Sequence, residues 1–198
     1  MRVVVGMSGA SGAIYGVRLL EVLKDTEDVQ TELIMSPAAR QTISLETEWD
    51  AKSVEALADA VHVFGDIAGA PSSGSFRFDA MAVVPCSMRT VAAIAYSLSD
   101  NLLVRAADVA LKERRTLLVA PRETPLHLGH LRAMTQLVEM GALVVPPMPA
   151  FYHRPETIDD LVNQTVNRIC DLIGISLRAD LFERWQGSKA RRRKSSTD

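Results

Sequence analysis

The stretch Arg2-Val-Val-Val-Gly-Met-Ser-Gly-Ala-Ser-Gly-Ala-Ile-Tyr-Gly16 joins an apolar run to a glycine-rich turn and then to a helical pattern. The three consecutive valines are β-branched and predict a short buried strand. The glycines permit unusual dihedral angles, and the following helix directs the positive end of its dipole towards the turn. The stretch therefore predicts a strand, a turn and a helix that meet an anionic group. It lacks the spacing of the dinucleotide fingerprint and the lysine of a P-loop, and a tight turn without a ligand is the alternative.

Composition and charge favour one domain of ordinary size. The chain has 198 residues, of which 47% are hydrophobic, and a formal net charge of −2. No apolar run approaches the roughly 20 residues needed to span a bilayer, and no signal pattern opens the chain, so we expect a cytoplasmic protein. Cys86 and Cys170 are far apart and lack metal-ligand spacing, which favours free thiols. We expect a domain over residues 1–186, a basic disordered tail over 187–198, and no nucleic-acid partner, because basic residues do not cover the body.

Strand and helix patterns alternate along the chain. We predict strands at 3–5, 31–35, 62–64, 80–84, 116–120 and 142–145. We predict helices at 14–23, 37–46, 51–60, from the turn 85–90 up to 95, and at 102–113, 128–140, 157–173 and 177–185. Such alternation predicts an α/β fold with a doubly wound parallel sheet. In that architecture the loops after the strands lie along one edge, where a ligand crevice forms.

Polar residues follow several of the predicted strands. Ser36 comes after the second strand and either caps the next helix or faces the crevice. Pro85-Cys-Ser-Met-Arg-Thr90 forms a second turn with hydroxyl side chains, and Pro121-Arg-Glu-Thr-Pro125 holds a charged pair between prolines. A charged pair at that position favours function over scaffold. The residues thus predict a site for a phosphorylated planar cofactor, with arginines and lysines left over for a second phosphate.

Several motifs, in this order, resemble the UbiX flavin prenyltransferases. They are Gly6-Met-Ser-Gly-Ala-Ser-Gly12, Pro85-Cys-Ser-Met-Arg-Thr90, Asn101 through Glu113, Pro121-Arg-Glu-Thr-Pro125, His130-Leu131 and Pro149-Ala-Phe-Tyr152. The resemblance runs from Met1 to about Trp185. Three further stretches resemble the B-subunit type associated with hydroxyarylic acid decarboxylases. These are Thr47-Glu-Trp49, Ser72-Ser-Gly-Ser-Phe76 and Pro146-Pro-Met-Pro149.

This resemblance implies a flavodoxin-like flavoprotein fold, a homododecamer, and FMN bound between subunits. It also implies a reaction in which reduced FMN accepts a dimethylallyl group from dimethylallyl phosphate, first at N5 and then at C6. Phosphate leaves, and no metal takes part. The product, prenylated FMN, would serve a UbiD-type decarboxylase that acts on an aromatic acid.

The resemblance further implies three sets of site residues. Those for FMN are Gly9, Ala10, Ser11, Ser36, Ser87, Met88, Arg89, Thr90 and Arg122. Those for dimethylallyl phosphate are Arg105, Lys112, Tyr152 and Arg168. Those assigned to catalysis are Glu46, Glu123, Lys112 and Arg122. Cationic and phenolic donors suit a phosphate that gains negative charge as it leaves. A carboxylate can stabilise an allyl cation or move a proton.

One departure and two alternatives accompany this interpretation. Ile67 stands near the place where some family members set a tryptophan against the prenyl chain, so an aromatic face is missing there. The first alternative is a flavin-dependent cysteine decarboxylase of the phosphopantothenoylcysteine type, whose turn carries an asparagine where this chain has Cys86-Ser87-Met88. The second is a non-catalytic flavin-binding subunit of an aromatic acid decarboxylase.

Overall fold

The computed structural model describes residues 1–187 and contains a six-stranded sheet in the order β3-β2-β1-β4-β5-β6. The strands are β1 (Arg2–Met7), β2 (Gln30–Met35), β3 (Ala60–His62), β4 (Ala80–Cys86), β5 (Thr116–Pro121) and β6 (Leu143–Val144). The helices are α1 (Ala13–Lys24), α2 (Pro37–Glu46), α3 (Ala51–Glu55), α4 (Met88–Ala95), α5 (Leu102–Lys112), α6 (Leu128–Glu139) and α7 (Ile158–Leu172). All neighbouring strands are parallel. The predicted doubly wound α/β fold is confirmed, and the strand order reverses between β1 and β4.

Two apolar layers cover the two faces of the sheet. Along β1, Val3 and Val5 belong to the layer under α1 and α7, while Val4 belongs to the layer under α4, α5 and α6. This follows from the pleat, because successive side chains of a strand point to opposite faces. All three valines are fully buried. A strand buried on both faces needs a continuous apolar sequence, which is the pattern that predicted it.

Side-chain caps fix where the helices that border the carboxyl edge begin. The Ser36 hydroxyl accepts a hydrogen bond from Ala39 N at 3.0 Å, and Pro37 occupies the first helical position. The Ser87 hydroxyl accepts one from Thr90 N at 3.3 Å. α2 and α4 therefore start directly after β2 and β4, with their amino ends towards the same edge.

The third strand lies two residues earlier than predicted. It spans Ala60–His62 instead of 62–64, and the helix predicted to reach residue 60 ends at Glu55. The cause is the neighbouring strand: Thr31 N donates to the Asp59 carboxylate at 2.7 Å, and Asp59 N donates to Thr31 O at 3.1 Å. These hydrogen bonds set the register with β2 already at Asp59, so strand pairing starts before the residues 62–64 that predicted the strand.

The helix predicted over 177–185 is wrong. No helix forms between residue 174 and residue 187. Instead, Leu181 N donates to the side-chain oxygen of Asn167 at 2.7 Å, so the segment is fastened to α7. A short helix is costly to nucleate, and contacts with the rest of the fold decide the conformation here. The tail predicted to be disordered falls almost wholly on residues 188–198, which lie outside the described residues.

Two smaller expectations concern the cysteines and membrane insertion. Cys86 and Cys170 are both buried and free, as predicted. Within residues 1–187, every helix is too short or too polar to cross a bilayer.

Candidate functional site

A cleft of about 440 Å³ opens at the carboxyl edge of the sheet, where the strand order reverses. Its polar wall contains Gly9, Ser36, Ser87, Arg89, Thr90 and Asn101, and its apolar wall includes Phe64 and Val104. This size lies within the range of about 300–1,000 Å³ that is usual for small-molecule sites. The position is the one where open α/β sheets bind ligands. The crevice predicted from the sequence is therefore present.

The loops after three central strands are fastened together beside this cleft. The Ser8 hydroxyl accepts a hydrogen bond from Ser87 N at 2.7 Å and donates to Pro85 O at 3.3 Å. Arg122 N donates to Cys86 O at 3.1 Å. The two hydroxyl-bearing turns and the Arg122 loop thus share one edge, as predicted. The Ser8 hydroxyl makes both hydrogen bonds of this cross-link, so its role is to hold the two turns together.

The electrostatics of the cleft favour an anion. The amino ends of α2 and α4, capped by Ser36 and Ser87, both reach its wall. A helix amino terminus carries partial positive charge and unpaired N–H groups. The Arg89 guanidinium adds a full charge, paired only at 3.6 Å with Asp100. The Thr90 hydroxyl lies 3.1 Å from that of Ser87 and supplies a second donor. This donor set suits the phosphate of a nucleotide.

The first turn of α1 already holds an anion that belongs to the chain itself. Gly12 has a positive φ of 96° and no side chain to cap the helix. The Glu46 carboxylate, at the end of α2, accepts hydrogen bonds from Gly12 N at 2.8 Å and Ala13 N at 3.2 Å. The N–H groups of Gly12 and Ala13 are therefore engaged by a carboxylate of the chain, while the amino ends of α2 and α4 line the cleft.

Glu46 is ionised at neutral pH. Its partial burial acts to raise the pKa, but the Ser11 hydroxyl, the N–H groups of Gly12 and Ala13, and the Arg122 charge together lower the pKa below its ordinary value. The Arg122 charge thus acts on Glu46, so two of the residues assigned to catalysis interact electrostatically. Glu123, the next residue, is exposed, and its carboxylate accepts a hydrogen bond from Thr124 N at 3.0 Å.

The remaining residues assigned to FMN contribute unequally. Gly9 lines the cleft, and a Cβ there would lie 2.3 Å from the Cβ of Ala38, so only glycine lets the turn approach α2 this closely. Ala10 is buried. The Ser11 hydroxyl points to Glu46. The side chain of Met88 is buried in the apolar layer under α4.

The four residues assigned to dimethylallyl phosphate fall into two separate pairs. On α5, Arg105 donates to Ser72 O at 3.0 Å and to Asp108 at 2.8 Å, and Lys112 pairs with Glu113. On the other side, Arg168 of α7 donates to the Asp171 carboxylate at 2.8 Å, and the Tyr152 hydroxyl accepts from Gln164 at 3.4 Å. Because α5 and α7 cover opposite faces of the sheet, one chain does not bring the two pairs together.

Sequence reasoning missed several residues of the cleft, of which Phe64 and Asn101 are the most informative. The sequence pattern predicts a strand that includes Phe64, whereas Phe64 follows β3 and lines the cleft. Asn101 caps α5 by accepting a hydrogen bond from Val104 N at 3.0 Å, and it also lines the cleft. Both follow the rule that found the other site residues, because each lies close to the carboxyl edge of the sheet. An aromatic residue two positions after an edge strand is the signal for Phe64.

Comparisons with known proteins agree with this geometry. A family model described as flavoprotein matches residues 1–170. The flavin prenyltransferase UbiX of Escherichia coli (strain K12) is 60% identical over 187 residues, which cover 94% of this chain and 99% of the relative. Among FMN-dependent cysteine decarboxylases, one with 20% identity and a TM-score of 0.60 over 74% of this chain shares the fold alone.

Two solved structures are much more similar. A dodecameric FMN-dependent UbiX-like decarboxylase from Escherichia coli O157:H7 has 50% identity and a TM-score of 0.90, over 94% of this chain and all of that one. AnUbiX in complex with FMN and dimethylallyl pyrophosphate has 48% identity and a TM-score of 0.89, over 94% of this chain and 97% of that one. From its sequence, its fold and its cleft, the chain belongs to the flavoprotein family and, within it, to the UbiX-type flavin prenyltransferases.

Proposed function

We propose that this chain transfers a dimethylallyl group from dimethylallyl phosphate to N5 and C6 of reduced FMN and releases phosphate. The observation that carries the proposal is the anion-accepting cleft at the switch point of the sheet. The identity of 60% to a flavin prenyltransferase over 94% of the chain supports it. So does the similarity to AnUbiX, whose structure contains FMN and dimethylallyl pyrophosphate.

The cleft suits FMN in both size and chemistry. The hydroxyls of Ser36, Ser87 and Thr90, the two helix amino ends and the Arg89 charge would hold the phosphate. Phe64 and Val104 supply apolar surface for the ring system. When bound and reduced, FMN supplies the nucleophilic nitrogen of the reaction. The protein's part is to fix the ring and to keep Arg122 beside it.

The prenyl phosphate site is completed between copies of the chain. Arg105 and Lys112 lie on one face of the sheet, and Tyr152 and Arg168 lie on the other. All four suit a leaving phosphate, because charged and phenolic donors stabilise the negative charge that builds up on it. A homo-oligomer, for which the dodecameric relative is the precedent, lets one copy supply the first pair and a neighbour the second.

The two carboxylates are suited to different tasks. Glu46 is ionised and held by three donors, so it acts as a fixed negative charge that stabilises a developing allyl cation. Glu123 is exposed, and within residues 1–187 its carboxylate accepts a hydrogen bond from the N–H of its neighbour, so we assign to it the movement of a proton as the new ring closes. Ile67 is exposed in the loop after β3, where it offers an apolar surface to the prenyl chain.

The cellular setting is also part of the proposal. We infer that prenylated FMN passes to a UbiD-type decarboxylase, since the enzyme would otherwise make a cofactor without a user. The two buried free thiols fit a reducing compartment, which supports a cytoplasmic location.

The test uses the purified full chain without any partner. Incubation with reduced FMN and dimethylallyl phosphate, in the absence of oxygen, should release one phosphate for each prenylated flavin, detected by mass spectrometry. Omission of either substrate is the control. Tight FMN binding without phosphate release would contradict the proposal and leave only a non-catalytic flavin-binding subunit. Release of carbon dioxide from a cysteine peptide would point to the cysteine decarboxylase.

A further inference from the structure

Residues 176–187, which we call the C-terminal strap, pack against α7 and the loop that precedes it. Leu181 N donates to the side-chain oxygen of Asn167, a residue with no exposed surface. The rings of Phe182 and Trp185 meet the Tyr152 ring edge-on, with centroids 6.4 and 6.1 Å away. The strap therefore contacts one of the two residue pairs assigned to the prenyl phosphate.

Arg184 of the strap is bound to the same carboxylate as Arg168. Two of its nitrogens donate to the two oxygens of Asp171, each at 2.8 Å, and its third donates to Asp180 at 2.6 Å. The Arg168 guanidinium donates to one of those Asp171 oxygens, also at 2.8 Å. A single carboxylate is thus shared by two guanidinium groups, and Arg184 has the bidentate geometry.

Charge balance gives this arrangement a consequence for Arg168. The four side chains form two cations and two anions, so the cluster has no net charge. Without Arg184, both carboxylates would act on Arg168 alone, and the cluster would become negative. A negative cluster repels a phosphate and strengthens the hold of Asp171 on the Arg168 guanidinium that it already binds. Asp171 is ionised. Its hydrogen bond with Arg184 is the main cause that lowers its pKa, and the charge of Arg184 and the hydrogen bond and charge of Arg168 lower the pKa further. Partial burial acts in the opposite direction and does not reverse this shift.

We propose that the strap positions the phosphate-binding end of the prenyl donor site. Arg184 occupies Asp171 so that the charge of Arg168 remains available to the donor phosphate. Phe182 and Trp185 hold the ring of Tyr152 in a fixed orientation. Arg184 is a positioning residue, since it acts through Asp171. The inference rests on the proposed function, which places Tyr152 and Arg168 at the donor phosphate.

The experiment measures binding separately from turnover. The full chain is loaded with oxidised FMN, which accepts no prenyl group, and titrated with dimethylallyl phosphate in a calorimeter. Arg184→Ala should raise the Kd for dimethylallyl phosphate about ten-fold and leave the Kd for FMN within about two-fold of the original. The double variant Arg184→Ala with Asp171→Asn restores the neutral cluster, so it should recover most of the affinity.

Two further variants complete the design. Arg178→Ala is the matched control, because Arg178 lies in the same strap but pairs with Glu27 at the exposed surface. It should bind dimethylallyl phosphate as the original chain does. Arg184→Lys keeps the charge without the bidentate geometry and should bind within about three-fold of the original. It also provides the test if Arg184→Ala fails to fold.

The outcomes separate this inference from the proposed function. An unchanged Kd in Arg184→Ala would overturn the positioning role, and so would a double variant as weak as the single one. Equal loss in Arg178→Ala would overturn it as well, since the effect would not depend on Asp171. Each of these results leaves the proposed function intact. Failure of the original chain to bind dimethylallyl phosphate at all would instead contradict the proposed function.

Discussion

Replacing Glu46 by alanine removes the side chain that caps α1. Gly12 stands at the cap position and offers no side chain of its own. The Glu46 carboxylate supplies the missing acceptor from 34 residues further along the chain, at 2.8 Å from Gly12 N and 3.2 Å from Ala13 N. We therefore expect Glu46→Ala to destabilise the protein whether or not Glu46 also acts in the reaction.

The size of the effect follows from two contributions. Loss of a helix cap costs about 1 kcal/mol, and loss of a negative charge at a helix amino terminus costs a further 0.3–1 kcal/mol or so. Glu46 is exposed at the surface, so solvent screening keeps the second contribution small. A total of about 1–2 kcal/mol corresponds to a fall in Tm of roughly 2–8 °C for a chain of this length.

The dependence on pH gives a second, sharper criterion. The folded protein holds the pKa of Glu46 below its ordinary value, and the unfolded chain does not. A lowered folded pKa contributes stability that is complete above the unfolded pKa, about 4.3, and is lost as the pH falls through the folded value. The difference in stability between the original chain and Glu46→Gln should therefore be largest near neutral pH and shrink in acid.

Thermal unfolding of the FMN-free protein, followed by circular dichroism between about pH 7 and pH 3.5, provides the measurement, since bound ligand would shift the midpoint by mass action. Glu48→Gln is the matched control, because Glu48 is an exposed carboxylate two residues away that caps no helix. It should change the Tm little at any pH. A Glu46→Gln difference that stays constant across this range would refute the reasoning, as would a Glu46→Ala protein that melts within about 1 °C of the original.

Three further predictions rest on other parts of the structure. Arg122→Ala should lower kcat for phosphate release by a factor on the order of 100, because a cation beside the reacting groups is lost; turnover at the original rate would exclude Arg122 from the site. Gly16→Ala should destabilise the fold by about 2 kcal/mol or more in urea unfolding, since a Cβ there would lie 2.3 Å from Val84 O; an unchanged midpoint would contradict this close packing. Burial raises the pKa of the Cys170 thiol to about 12 and raises the pKa of Cys86 as well. Iodoacetamide at pH 8 should therefore label both only after denaturation, and rapid labelling of the folded protein would contradict their burial.

The central strands could be predicted from the sequence because each is buried on both faces. Such a strand needs an unbroken apolar run, and it is followed by a capping residue such as Ser36 or Ser87, which marks where the next helix begins. The edge strand β3 lacks this property. Three residues pair with β2 there, and the bonds between Thr31 and Asp59 decide where pairing starts. Hydrogen bonds between two segments that are distant in the sequence cannot be predicted from the sequence of either segment alone.

The same distinction applies to the site. Parallel strands with crossover helices place the loops after β1, β4 and β5 on one edge, so Ser87, Thr90 and Arg122 could be grouped from their order in the sequence. The place of Glu46 could not, because it depends on how α2 packs beside α1. The glycine-rich turn predicts an anion, and the structure sets the Glu46 carboxylate at its Gly12 and Ala13 N–H groups, but nothing in the turn's sequence tells a ligand's phosphate from a carboxylate of the chain.

The division of the prenyl phosphate residues between two faces has a topological cause. Crossovers between parallel strands are right-handed, and the chain runs outward from β1 in one direction and from β4 in the other. Helices in the first half must therefore cover one face, and those between β4 and β6 must cover the opposite face. Arg105 and Lys112 lie on α5, which follows β4 and packs on the second face. α7 follows the last strand, so no crossover constrains it, and it returns to pack beside α1 with Arg168 on it. The two pairs therefore lie on opposite faces of the sheet, and under the proposed function two copies of the chain would have to meet to bring both pairs to one phosphate.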